Sequence, residues 1–334
     1  MLPKERILVT GGAGYVGSLL VPALINKGYK VTVLDWFIFE PELFCDIKSD
    51  QLTVLKGDIR NEELVKETLS TTDSVIQLAG MSNDPSAVLD PQATEDINYK
   101  ATVNLAKIAK ELGVKRMIIA SSASVYGIQD KIATEETECK PLTIYSKCKL
   151  RSEEEILPLN DNNFIATAVR PATLSGFAPR LRLDLVVNNM SSQAAFSGKL
   201  KVYGGEQYRP NLSVTDMVKV YLTLLEQDGK IIGGKAYNVG ESNLTIMEIV
   251  KKISTAMDKR KLVIDKYDSD DKRSYWINSD KAKKEWGFKP THTVNDSIKE
   301  IINAVVQKNI PDINLAKFKN ASILKDRDLS LILK

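Results

Sequence analysis

Residues 7–17 read Ile7-Leu8-Val9-Thr10-Gly11-Gly12-Ala13-Gly14-Tyr15-Val16-Gly17, an apolar run that enters a glycine-rich turn and leaves it as a helical pattern. A short β-branched run followed by glycines and an amphipathic stretch predicts strand, tight turn and helix in that order. Glycines at positions 11, 14 and 17 let the backbone turn sharply and approach a ligand closely, and the helix N-terminus offers free N–H groups to an anion. That combination suits a dinucleotide pyrophosphate. The next predicted strand, Lys30 to Asp35, ends on a carboxylate about 18 residues after Gly17, where it can accept from a ribose 2′-hydroxyl. Asp35 repels a 2′-phosphate, and Trp36-Phe37-Ile38 supply no arginine to receive one, so NAD is expected over NADP.

Outward from this turn, apolar runs at Leu52–Lys56, Ser74–Ala79, Lys115–Ala120 and Phe164–Arg170 alternate with helical patterns at Val16–Lys27, Glu62–Ser70, Ala93–Leu112 and Ile144–Leu157. The alternation predicts an α/β fold, a Rossmann-type doubly wound parallel sheet with Phe164–Arg170 as its sixth strand. After Arg170 the rhythm breaks at Gly204-Gly205 and Gly233-Gly234. The expected organisation is a dinucleotide-binding domain over 1–172, a mainly substrate-binding domain over 173–312 with segments returning to the first, and a C-terminal tail over 313–334 packed on the surface.

The chain has 334 residues, 43% hydrophobic and 27% charged, and 46 basic against 43 acidic side chains leave a net charge of +3. This composition describes a globular protein and lacks the clustered basic face that nucleic acid requires. Cys45, Cys139 and Cys148 have neither disulfide nor zinc spacing, and His292 is the single histidine, so no metal site is expected. The first apolar run is too short for a secretory or membrane segment, and a cytoplasmic protein is expected, with no membrane partner.

Tyr145 and Lys149 fall one turn apart at the start of a predicted helix, on one face. A lysine cation beside a phenol favours phenolate, which makes Tyr145 a candidate general base for a hydroxyl whose carbon loses hydride. Ser122, just beyond the strand Lys115–Ala120, is placed to hold the same oxygen.

Together the glycine turn, Asp35, Ser122 and Tyr145-Ser-Lys-Cys-Lys149 resemble the extended short-chain dehydrogenase/reductase family, in its nucleotide-sugar epimerase and dehydratase branch, over about residues 4–310. The resemblance implies a catalytic set of Ser122, Tyr145 and Lys149. It implies a cofactor site of Gly11, Gly14, Tyr15, Val16, Gly17, Asp35, Asp58, Ile59, Leu78, Ala79, Gly80, Asn98 and Pro171, with Tyr145 and Lys149 reaching the nicotinamide end. The serine four residues before Tyr126 of Ser-x-x-Val-Tyr-Gly selects Ser122 over Ser121. Substrate contacts are implied at Ser82, Asn83, Ser122, Tyr145, Thr173, Asn188, Arg209 and Arg273, for a nucleotide-diphosphate sugar. A homodimer joined through apolar stripes of the helices Ala93–Leu112 and Ile144–Leu157 is also implied.

Departures from the branch narrow the reaction. Ser122-Ala123-Ser124-Val125-Tyr126-Gly127 lacks the acidic pair with which the dehydratases expel a hydroxyl, because alanine and serine are not acids at neutral pH. Arg170-Pro171-Ala172-Thr173 lacks the branch's substrate asparagine, and Arg180 and Arg182 are cationic candidates whose simpler reading is a solvated turn. The expected reaction is NAD-dependent redox at C4 of a nucleotide sugar through a 4-keto species. A 4-epimerase comes first and a one-way 4-dehydrogenase or 4-ketoreductase second. A non-catalytic NAD-binding regulator is disfavoured by the presence of both Tyr145 and Lys149.

Overall fold

The computed structural model describes residues 5–257, 262–268 and 274–331. Six strands lie near their predicted positions: β1 (Arg6–Thr10), β2 (Lys30–Asp35), β3 (Leu52–Lys56), β4 (Ser74–Gln77), β5 (Arg116–Ala120) and β6 (Ile165–Pro171). Downstream come β7 (Thr173–Ser175), β8 (Lys199–Tyr203), β9 (Tyr208–Ser213), β10 (Lys235–Val239), β11 (Ser242–Thr245) and β12 (Val263–Tyr267). The main sheet has seven strands in the order β10-β6-β5-β4-β1-β2-β3, and every pairing in it is parallel. The sixth predicted strand is therefore not the last. The seventh, Lys-Ala-Tyr-Asn-Val, comes from the downstream half and pairs with β6 in register Tyr237 to Val169.

Both faces of the sheet are covered, which explains the nearly continuous apolar strands. Along β1, Ile7 and Val9 pack toward the helices Gly17–Asn26 and Val214–Glu226, while Leu8 faces the helices Glu62–Leu69 and Thr102–Glu111. A second core gathers Val187, Leu200, Ile249 and Ile298 among the helices Val186–Ser197, Ile246–Ala256 and Val294–Val306. The predicted Ala93–Leu112 helix runs without interruption but changes type: Pro91–Glu95 and Thr102–Glu111 are α-helical, and Asp96–Ala101 between them is a π-helical turn.

The tail, expected to pack on the surface, buries Phe318, Leu324 and Leu329, and Arg60 donates to the carbonyls of Leu329 at 2.9 Å and Leu331 at 2.7 Å. The two long helices do not present the expected apolar stripes outward. Most of their apolar residues serve the subunit's own core, and the exposed positions are Lys100, Lys107, Glu111, Lys147, Arg151 and Glu154, with Leu112 the one exposed apolar residue among them. Arg151 pairs with Glu95 at 2.8 Å and stacks 3.8 Å above the Tyr99 ring centre.

Candidate active site

Strand order reverses between β4 and β1, and in an open parallel sheet such a reversal leaves a crevice at the strands' carboxyl ends. A cleft of about 470 Å³ opens there. Gly11, Gly14, Tyr15, Val16 and Gly17 line it from the turn after β1, and Leu78, Ala79 and Gly80 from the end of β4. The close approach between these two segments demands glycine: Gly11 has φ +67°, and a Cβ there would lie 2.4 Å from the Ala79 nitrogen. A cradle of this shape, opening on a helix N-terminus, fits a dinucleotide.

Asp35, Asp58 and Ile59 line the far end of the cleft. The Asp35 oxygens accept N–H bonds from Ala13 at 2.9 Å and Phe37 at 2.8 Å, and burial still raises its pKa. Asp58 is buried and held by the Arg60 guanidinium at 2.7 Å.

At the other end, Thr143 caps the helix Ile144–Ile156 in a capping box with Ser146 and donates to Asp84 at 2.6 Å, fixing the helix start beside the cleft. Tyr145 and Lys149 both line the cleft on this helix. Lys149 Nζ donates to the Ala120 carbonyl at 2.6 Å and lies 5.8 Å from the Tyr145 ring centre. Ser122 lines the cleft as well, its Oγ accepting from Ser124 N–H at 3.1 Å and from the Ser124 hydroxyl at 2.9 Å. The adjacent serines are sorted by their partners, because Ser121 is buried and donates to Glu153 instead.

The electrostatics differ from the sequence argument. Burial pushes the Tyr145 phenol up to about 12, with the Ser122 hydrogen bond pulling the other way. Burial also lowers Lys149 to about 8. Burial therefore works against the phenolate that the pairing of Tyr145 with Lys149 was expected to favour.

Ser82, Asn83, Pro171, Thr173 and Arg209 also line the cleft. Asn83 donates to Asp184 at 2.8 Å, and Arg209 donates to the Tyr208 carbonyl at 2.9 Å. Two predicted residues are not brought into the cleft. Asn188 is fully buried, donating to the Tyr15 hydroxyl at 3.1 Å and the Arg182 carbonyl at 2.9 Å and accepting from Gly176 N–H at 2.9 Å, so it fastens the 176–184 loop to the glycine turn. Asn98, in the π-helical turn, accepts from Met81 N–H at 2.7 Å and donates to its carbonyl at 3.0 Å, pinning the loop after β4 from behind. Arg273 lies outside the described residues. Arg180 and Arg182 do not form a solvated turn, since both are buried and line the cleft. Arg182 grips Asp184 with two hydrogen bonds, at 2.9 and 3.1 Å.

Sequence reasoning missed the support behind Ser122. Arg170 bonds Glu153 through Nε at 3.0 Å to each oxygen, and its Nη1 donates to the Tyr126 hydroxyl at 2.8 Å, which donates to Asn238 at 2.8 Å. This buried chain ties β6, the helix Ile144–Ile156, the 123–126 turn and β10 together. The predicted outcome for Glu153→Ala is a loss of about 3–5 kcal/mol in urea unfolding, because it strands a buried guanidinium. Tyr221, Tyr275, Asn320 and Leu324 also line the cleft, without any local motif that would mark them.

A glycine-lined crevice at the strand-order reversal, joined to a Ser-Tyr-Lys cluster, defines a dinucleotide-binding α/β enzyme of the Rossmann type. Residues 7–240 match the NAD dependent epimerase/dehydratase family, and the chain belongs to that family. Among curated relatives, it is 28% identical to the UDP-glucose 4-epimerase of Lactobacillus helveticus over 323 residues, covering 88% of this chain and 94% of the relative. It is 29% identical over 245 residues to the human sterol-4-alpha-carboxylate 3-dehydrogenase, decarboxylating, covering 70% of this chain and 62% of that one. Its fold matches the crystal structure of UDP-glucuronic acid 4-epimerase from Bacillus cereus in complex with UDP-glucuronic acid and NAD, with a TM-score of 0.81, 24% identity, and coverage of 90% and 99% of the two chains.

Proposed function

We propose that the protein is an NAD-dependent nucleotide-sugar 4-epimerase. The observation that carries this reading is that Tyr145, Ser122 and Lys149 line the same cleft as the glycine turn, with Ala123 and Ser124 where a dehydratase would need acids. Gly11, Gly14 and Gly17 would cradle the dinucleotide's diphosphate, Asp35 its adenosine ribose, and Asp58-Ile59 flank the adenine. When bound, NAD supplies the hydride acceptor and, once reduced, the donor.

Tyr145 takes the proton from the C4 hydroxyl as that carbon gives up hydride, leaving a 4-keto sugar. Ser122 holds the reacting oxygen, and Lys149 stabilises the phenolate by its charge. Return of hydride to the opposite face of C4, with Tyr145 handing its proton back, inverts the centre. Ser82, Asn83, Thr173 and Arg209 are proposed to face the nucleotide sugar. The similarity to a sterol dehydrogenase favours one-way redox as the second reading.

The deciding experiment offers purified protein UDP-, GDP-, dTDP- and CDP-sugars and follows nicotinamide absorbance together with product stereochemistry. Inverted product without net cofactor change supports the epimerase. Accumulating NADH with a ketosugar, or a need for added oxidant, rejects it.

Because phenolate is the working form, kcat is expected to rise with pH as Tyr145 deprotonates. Removing the cation in Lys149→Met moves that rise to higher pH and lowers kcat at neutral pH by about 10²-fold. An unmoved pH profile would show that the lysine charge does not act on the tyrosine. Among the described residues no helix is long and apolar enough to cross a membrane, and the proposal places the enzyme in the cytoplasm. The implied homodimer would have to join through the charged helix faces, and sedimentation at low and high salt would show whether it forms.

A further inference from the structure

The sequence argument for NAD over NADP rested on the lack of an arginine directly after Asp35. The fold supplies one from the 176–184 loop. The Arg180 guanidinium sits 4.1 Å from the Phe39 ring centre, near enough to Asp35 and Glu40 to feel their charges, and it lines the same cleft. Its residue is 1% exposed. Nη2 donates to Asn320 of the tail, whereas Nε has no hydrogen-bond partner, and Arg180 forms no ion pair among the described residues.

Each nearby carboxylate is engaged elsewhere. Asp184 is gripped by Arg182, Asp35 accepts two backbone N–H groups, and Glu40 pairs with Lys317 at 2.9 Å. A buried cation without its own counterion is costly, and burial together with Arg182 pushes Arg180 down to about 9. The unpartnered Nε belongs to a side chain that lines the cleft, where an anion can reach it.

We propose that Arg180 is a phosphate ligand for the bound dinucleotide, a second anion contact independent of the glycine turn, with Asn320 as its positioning residue. This deepens, and rests on, the assignment of the cleft to a dinucleotide. Guanidinium and phosphate form strong charge-assisted, often bidentate hydrogen bonds. Two phosphates qualify: the diphosphate shared by NAD and NADP, and the 2′-phosphate that only NADP carries.

Calorimetric titration of wild type, Arg180→Met and Arg180→Lys with NAD, NADP, ADP, 2′-AMP and adenosine separates the sources. Arg180→Met should weaken the ligands carrying the contacted phosphate by about 10- to 100-fold, leave adenosine unchanged, and be partly rescued in Arg180→Lys. Losses on NAD, NADP and ADP assign the diphosphate. Losses confined to NADP and 2′-AMP assign the 2′-phosphate and a cofactor choice broader than Asp35 alone allows.

Thermal melting excludes a merely structural role. Ligand-free Arg180→Met should melt no lower than wild type, since an uncompensated charge is gone, while the rise in melting temperature on adding the affected ligand shrinks. Unchanged affinities, or a lower ligand-free melting point with unchanged affinities, overturn the proposal. If the methionine variant does not fold, Asn320→Ala, which releases the guanidinium, should weaken the same ligands, and unaltered binding there overturns the proposal equally. Wild type failing to bind NAD would reject the dinucleotide assignment itself, whereas tight binding that is indifferent to Arg180 rejects only this inference.

Discussion

Tyr145→Phe should bind NAD as wild type does and lose turnover by about 10³- to 10⁴-fold, the upper range for removing a general acid or base. The ring stays, so its packing on the core beside Lys149 stays, and only the hydroxyl is removed. The measurement pairs calorimetric NAD binding with single-turnover kinetics on whichever nucleotide sugar the substrate panel identifies. Retained turnover would reject Tyr145 as the base. Loss of NAD binding would show that the substitution damaged the cofactor end, so both readings are needed. Ser122→Ala should cost less, because the phenol remains and only the second hydroxyl is lost.

Gly11→Ala should lower stability by about 2–5 kcal/mol and abolish NAD binding, since two penalties coincide at one atom. The residue sits at φ +67°, which an L side chain rarely adopts, and its Cβ would press on the Ala79 nitrogen at 2.4 Å and Cα at 2.6 Å. Neither neighbour is a flexible side chain that can swing aside, because both belong to the backbone leaving β4. Gly113→Ala is the control: φ is +77° but nothing lies within 4 Å of the added carbon, so it should cost only the left-handed strain of about 1–2 kcal/mol. Urea unfolding of the two variants separates strain from collision. Equal losses would show that the contact between the glycine turn and the end of β4 is soft.

The cofactor half was legible because its signals are local. A strand must hand directly to a glycine turn, an acid must close the second strand, and a tyrosine and lysine must stand one helical turn apart, all within short windows of chain. The substrate side was less legible. Asn188 carries the same chemistry whether it faces a ligand or a neighbouring backbone, and only packing turned it toward Tyr15 and Gly176. For Arg180 and Arg182 the residue type suggested solvent, while the Phe39 ring and Asp184 drew them inward.

Sequence by itself determined the doubly wound parallel sheet, the place of the glycine turn and the pairing of Tyr145 with Lys149, since periodicity and turn chemistry act over a few residues. Tertiary structure alone decided that Lys235–Val239 closes the sheet beside β6, that the tail lines the cleft through Asn320 and Leu324, and that an arginine from beyond β6 stacks on Phe39 in the same cleft as Asp35. Those outcomes depend on contacts between segments far apart in the chain, and on burial that raises the Tyr145 phenol and lowers Lys149, neither of which any local pattern encodes.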